Sequence, residues 1–498
     1  MAWTLSKRLF YTAIFISGSS ALVYQLIWVR LLGLVFGVSS FAVATVVAVF
    51  LLGLGLGSYF FGKWSERTEN PLRIYMYVEV CIAVTSLASY LVIDHLPVYR
   101  YLYESAYNSL DLYGMSVVRL LLSVAVLLPP VFFIGGTMPL IVKYSLTAST
   151  TFGSGFSRIY YLNTLGAFAG ALLTGFVLVR FLGVFVTLML AVAGNLLVAA
   201  IIVVGKSESA PLPESTEANT PYSYMLFILF LTGFISLGYE VLWVRILSTY
   251  GLSTSQAFAL IVAGFLLGFS IGSFLVSRTI DHRHDLESWF SGICILTALS
   301  GALVLFLFRK FETLTLLLEQ SLSVGYLNAS LALAFVVSLI PAVFMGILFP
   351  LGLRIYAHDV QQIGAKAGKI LFSNTAGCVL GSLLTGFVLI PFAGMWNTTL
   401  ILVNLSLLIA LVLLLRVRDV SRARWAALLL VGVLANLLIF SDSKTFHKEV
   451  NGLRVVYYAE GLSGTVSVLG NDQYRGVFVD GQNAVSYTHL TLPTNREV

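Results

Sequence analysis

Two places in the chain, 215 residues apart, carry Tyr-(Gln/Glu)-x-x-Trp-x-Arg: Tyr24, Gln25, Trp28 and Arg30, then Tyr239, Glu240, Trp243 and Arg245. On a helix turning about 100° per residue, the Tyr, the Gln or Glu and the Trp share one arc, and the Arg points elsewhere. Both copies lie inside apolar runs. An intramembrane carboxylate is costly unless it is paired, protonated or facing a wet cavity. Glu240 therefore reads either as a binding group for a proton or cation, or as half of a structural ion pair. Glu79 is a second such carboxylate, with no clear counterpart in the second copy of the repeat. Arg30 and Arg245 lie nearer the helix ends and read as structural residues snorkelling to the interface. Asn163 and Asn374 each open an Asn-Thr-x-Gly motif, either as hydrogen-bonding glue between helices or as cavity lining. The candidate binding set is thus Tyr24, Gln25, Trp28, Glu79, Asn163, Tyr239, Glu240, Trp243 and Asn374. No Walker A loop, zinc signature or nucleophile elbow is present, so no catalytic or metal-ligating residue is assigned. Cys81, Cys294 and Cys378 all lie in apolar segments and form no disulfide or metal pattern.

These residues must be positioned by membrane helices. Of 498 residues, 58% are hydrophobic and 10% charged, against roughly 25% charge in a soluble domain. Spans of about 20 apolar residues are predicted at 9–35, 39–63, 71–95, 115–140, 157–182 and 184–205. A second set follows at 222–250, 254–278, 286–308, 326–353, 366–392 and 394–416. Residues 18–58 align without a gap to 233–273, with 18 of 41 identical, and 163–183 align to 374–394, with 13 of 21 identical. Repeat 1 (1–205) and repeat 2 (222–416) are therefore copies in the same order. Six spans each makes them parallel repeats, with a site expected at their interface. The fold class is an all-α polytopic bundle of 12 spans, of the type found in the Major Facilitator Superfamily.

Residues 206–221 form a polar, acidic linker on the cytoplasmic side. Tyrosines in 96–114 suggest an interfacial segment, with a counterpart near 309–323. Gly53/Gly57, Gly166/Gly170, Gly268/Gly272 and Gly377/Gly381 have the spacing of close helix packing. GGTMP (135–139) and GILFP (346–350) suggest helix ends or breaks on the cytoplasmic side, with helix packing as the default reading. With the N-terminus inside, 17 Lys and Arg collect on the cytoplasmic side and 7 on the other, which the positive-inside rule favours. The net charge of +6 is thereby a membrane signal rather than a nucleic-acid one. The expected location is a cytoplasmic (inner) membrane, with the lipid bilayer as partner. Oligomeric state is open.

Residues 417–440 hold a basic loop and an apolar stretch, 425–440, of marginal length for a thirteenth span. From Ser441 the composition turns soluble. RVVYYAEG, GTVSVLG and YRGVFVDG alternate apolar and polar residues around glycine turns and predict a β-meander over 441–485.

The run GSSALVYQLIWVRLLGLVFG with FLLGLGLGSYFFGK, repeated as GFISLGYEVLWVRIL with FLLGFSIGSF, resembles bacterial fused transporter/spermidine synthase proteins. YYAEGLSGTVSVL with VFVDGQ is similar to the meander that opens spermidine synthases. The resemblance implies a membrane-anchored, polyamine aminopropyltransferase-like protein, whose Rossmann-like core would take decarboxylated S-adenosylmethionine. This chain departs from it. Ala484 stands where those enzymes have a Gln, and no glycine-rich loop or set of acidic residues follows. The tail 486–498 fits neither pattern and reads as non-native, which implies a C-terminally truncated, inactive transferase with no cofactor in this chain. The alternative is a secondary transporter or membrane receptor for a small cationic, polyamine-like solute. A purely structural scaffold is the third reading.

Overall fold

The computed structural model describes residues 6–36, 40–95, 101, 104–105, 110, 112–146, 152–204, 222–252, 255–357, 362–416, 425–426, 428–434, 436, 449–450, 453–461, 464–471 and 475–487. The linker 206–221, most of the tyrosine-rich stretch 96–114, the basic loop 417–424 and the tail 488–498 lie outside them.

The first set of helices is α1 (Lys7–Phe36), α2 (Ser40–Ser65), α3 (Pro71–His95), α4 (Leu112–Leu146), α5 (Phe152–Leu173) and α6 (Val179–Val204). The second is α7 (Tyr224–Thr249), α8 (Ser255–Val276), α9 (Leu286–Arg309), the short α10 (Phe311–Leu322), α11 (Tyr326–Tyr356), α12 (Ile363–Leu384) and α13 (Ile390–Arg416). Among the described residues, ten helices are long and apolar enough to cross a membrane, with Gly153–Val204 and Ile363–Arg416 each counted as one run. In hydrocarbon a spanning segment has no water to satisfy its N–H and C=O groups, so helices are the available solution.

Each of the two long runs contains a π-helix of identical sequence, TGFVL, at Thr174–Leu178 and Thr385–Leu389. Shortly after each stands a glycine with positive φ, Gly183 (76°) and Gly394 (81°). A side chain rarely adopts that conformation, and it ends the helical direction. Helices α5 and α6 both pack on α1, and α12 and α13 both pack on α7, so each run folds back on itself.

The packing has an internal twofold. Within the first half α1 meets α5 and α6, α2 meets α4, and α3 meets α4 and α6. Within the second half α7 meets α12 and α13, α8 meets α11, and α9 meets α11 and α13. Between halves, α2 packs on α12 and α5 on α8. Glycines let these helices touch. A Cβ on Gly18 would lie 2.1 Å from the Asn163 carbonyl oxygen, and one on Gly233 would lie 2.1 Å from that of Asn374.

Of the two readings of 135–139 and 346–350, packing holds and the break does not occur. Helices α4 and α11 run on through Pro139 and Pro350. Packed neighbours in membrane bundles make such prolines tolerable, and Gly135 and Gly346 instead let α4 and α11 close on α2 and α8.

The described residues of 425–436 are helical. Trp425 lies beside Gly292 near the start of α9, and Asn436 Nδ2 donates to Asn404 Oδ1 at 2.6 Å on α13. Beyond it, β1 (Glu449–Val450), β2 (Leu453–Glu460), β3 (Thr465–Gly470), β4 (Arg475–Val479) and β5 (Gln482–Tyr487) form an antiparallel meander in sequence order. Asp480 and Gly481, both at positive φ, make the two-residue turn that Asp-Gly favours. The sheet rests on the end of α7, where Gly481 meets Thr249 and Gly251, and on the Gly394 turn. That is the face opposite the start of α7.

Candidate functional site

The repeated motif divides into two faces. Tyr24 stacks on Trp28 with ring centroids 5.5 Å apart, and Tyr239 on Trp243 at 5.1 Å. Phe50 and Phe265, also repeat mates, close these stacks. All four motif rings are buried. Tyr24, Trp28, Tyr239 and Trp243, expected at a binding cavity, are thus placed inside the protein. They are the aromatic core of their own halves, because residues four apart on one helix share a stripe.

Gln25 and Glu240, one residue on, turn away from that core and are partly exposed. Neither has a hydrogen bond or ion pair among the described residues, so no ion pair locks Glu240. A neighbouring position on the same helix meets the other half. Leu237, three residues earlier, packs with Val47 of α2 and Cys378 of α12. Glu240 is thus an unpartnered carboxylate at the seam between the halves.

Asn374 works as glue: its Nδ2 donates to the Leu229 carbonyl at 3.0 Å, tying α12 to α7. Asn163 adjoins α1 at Gly18. Arg30 is exposed. Arg245, expected to snorkel, is buried instead. Its Nη2 donates to the Gly461 carbonyl at 2.7 Å, and Nη1 lies 3.8 Å from Asp480 Oδ1. It pins the sheet to α7.

Glu79 has the partners that sequence did not show. Ser17 Oγ donates to its Oε1 at 2.6 Å, and Asn195 Nδ2 donates to Oε2. Tyr24 OH donates to Asn195 Oδ1 at 2.9 Å. Asn195 lies mid-span, and the argument applied to Asn163 would have singled it out too. The repeat mates of Ser17, Glu79 and Asn195 are Thr232, Cys294 and Ser406. There the second half holds a small cavity, bordered also by Thr297 and Met345.

On the face opposite the sheet, two carboxylates join the halves. Glu66 Oε1 accepts from the Gly364 and Ala365 amides at 2.7 and 3.1 Å, at the first turn of α12, while Lys143 binds its Oε2. Asp281, 215 residues later, accepts from the Gly153 and Ser154 amides at 2.9 and 3.0 Å, at the first turn of α5. Arg354, the mate of Lys143, packs against Gly153. An anion at a helix N-terminus satisfies free amides and complements the helix dipole. Extending the repeat alignment past residue 58 would have paired Glu66 with Asp281. No group of His, Cys, Asp and Glu able to hold a metal occurs among the described residues.

The arrangement of two pseudo-symmetric helical halves is similar in fold to several solved structures. The chain is similar to a Major Facilitator Superfamily transporter, FucP, in the outward conformation (TM-score 0.52, 14% identity, 84% of this chain and 100% of that one). It is also similar to a bacterial homologue of the iron transporter ferroportin in an outward-facing state (TM-score 0.52, 13% identity, 84% and 99%). The E. coli fucose:proton symporter FucP matches at TM-score 0.51 and 11% identity, covering 83% and 98%. At such identities the likeness is one of fold. No family model matches the sequence, and no curated protein matches it. Nothing in these comparisons supports the aminopropyltransferase reading.

Proposed function

We propose that the protein is a secondary transporter of a small cationic solute, working by rocking of its two halves about the seam. The observation that carries this is Glu240: a carboxylate in mid-membrane, without a partner, one turn from a position where α7 meets the other half. A charge left unpaired in hydrocarbon marks a function by default, facing water or a ligand. Gln25, its mate, offers a neutral amide to the same seam. A diamine or polyamine suits such a pair, with one ammonium on the carboxylate and an N–H on the amide oxygen.

We read the two fold-back turns at Gly183 and Gly394 as dividing the ten apolar runs into twelve crossings, and the apolar stretch 425–440 as a thirteenth. By the positive-inside rule the N-terminus is cytoplasmic. The Glu66 and Asp281 contacts then hold the cytoplasmic side closed, and the sheet lies outside.

Equilibrium binding of radiolabelled putrescine to the purified chain in lipid nanodiscs tests the reading. The parent should bind saturably and Glu240→Gln should not. Equal binding by both would remove Glu240 from the site.

A further inference from the structure

We propose that Glu79 is a reversible proton-binding site of the first half, separate from the seam, and that its occupancy sets how α1 presents Gln25. The inference rests on the transporter reading for its consequence, not for the existence of the site.

Glu79 is fully buried, and so are Ser17, Asn195 and Tyr24 around it. Its oxygens receive one neutral donor each, Ser17 Oγ and Asn195 Nδ2. It has no ion pair among the described residues. On its own helix the titratable neighbour is Tyr75, one turn away, whose buried hydroxyl lies toward Ser17 and Glu79. From α1 the titratable neighbour is Tyr24. From α6 comes Asn195, which carries no charge. Helix α4 brings two cations. Lys143 is bound to Glu66. Arg119 lies beyond the level where Ser89 Oγ donates to the Val126 carbonyl, about 25 Å along the axes at a rise of about 1.5 Å per residue. A carboxylate so enclosed, with neutral donors alone, is costly as an anion. A proton relieves that cost.

The cluster is not part of the frame that both halves need. The second half has the same helix packing with Thr232, Cys294 and Ser406 at the equivalent places, and a cavity where the first half has the carboxyl group. Tyr239 has no acceptor there. The acid is a specialisation of one half.

Its chemistry is a simple exchange. The Glu79 carboxyl O–H bond breaks, the electron pair stays on oxygen, and the proton goes to water. The anion then accepts hydrogen bonds from the Ser17 hydroxyl and the Asn195 amide. The protonated acid must donate, so a hydroxyl beside it must turn to accept. Asn195 also holds Tyr24, and Tyr24 precedes Gln25 on α1. Rearrangement at Glu79 therefore reaches the seam through one hydrogen bond and one residue of helix.

Infrared difference spectroscopy on the full chain in lipid vesicles tests this without any solute. The carbonyl stretch of a protonated carboxylic acid is resolved from that of a carboxylate. In a Glu240→Gln background, a carboxylic-acid band should appear and vanish reversibly between about pH 4 and pH 9, the range buried glutamates reach. It should be lost when Glu79→Gln is added. Asn195→Ala should move its midpoint, whereas Ser406→Ala, at the equivalent place, should leave it. A band unchanged by Glu79→Gln, or a Glu79 band that does not titrate in that range, overturns the proposal. If Glu79→Gln does not accumulate, the Asn195→Ala and Ser406→Ala pair decides, and equal midpoints overturn it. Absence of solute uptake in any condition would instead defeat the transporter reading and leave this band untouched.

Discussion

Tyr24 donates a hydrogen bond to Asn195 at 2.9 Å, and its repeat mate Tyr239 meets no acceptor because Ser406 stands where Asn195 would be. The two halves share a backbone plan and differ in the polar chemistry inside it. Asn195 serves two buried groups at once, accepting from Tyr24 and donating to Glu79.

Asn195→Ala should therefore destabilise the protein clearly, since a buried polar group left without its partner costs about 1–3 kcal/mol. Ser406→Ala, at the equivalent place, removes a hydroxyl that bonds within its own helix to the Leu402 carbonyl and should cost little. Thermal unfolding of both variants in detergent checks the contrast.

The contacts of Glu66 and Asp281 across the halves predict a change in access. Ser65 is fully buried beside Gly364. In a chain freed of its three cysteines, a cysteine at position 65 should react slowly with a thiol reagent. Adding Glu66→Ala and Asp281→Ala should speed labelling several-fold, because the amides of Gly364, Ala365, Gly153 and Ser154 lose their acceptors. Unchanged rates would mean that these carboxylates do not hold that face closed.

Docking of the sheet should depend on pH through Glu460. Burial pushes its carboxyl above the usual carboxylate range, against the opposing effects of the Met395 amide, the Tyr458 hydroxyl and Arg245. A group whose value is raised on docking stabilises the docked form fully below its ordinary value of about 4.3. That contribution is lost as pH rises through the raised value. Protection of the sheet from protease should thus weaken on going from acid to alkaline pH, and Glu460→Gln should flatten the profile. Arg245→Ala should loosen the sheet at every pH, since Gly461 and Asp480 lose their common partner.

The architecture was largely readable because duplication writes each element twice. Gly183 falls between the spans expected at 157–182 and 184–205, Gly394 opens the span expected at 394–416, and the Asp-Gly turn at 480–481 closes a hairpin as its composition implies. Side-chain direction was not readable to the same degree. One arc of about 100° holds Tyr24, Gln25 and Trp28 together, yet it spans the boundary between a half's own core and the seam. Periodicity cannot say which edge of the arc faces which neighbour. Asn195, Glu66 and Asp281 were missed for a related reason: their partners lie 116, 298 and 128 residues away. The continuous α4 and α11 show the converse, since Pro139 and Pro350 look like breaks only until their packing is known.

Uptake of radiolabelled putrescine into proteoliposomes tests the central claim most directly, with parent, Glu240→Gln and protein-free vesicles compared side by side. The account predicts saturable uptake by the parent and a fall of at least about tenfold in Glu240→Gln, the loss of about 1.4 kcal/mol or more of solute interaction. Equal uptake by parent and variant, or parent uptake no greater than that of protein-free vesicles, would contradict it.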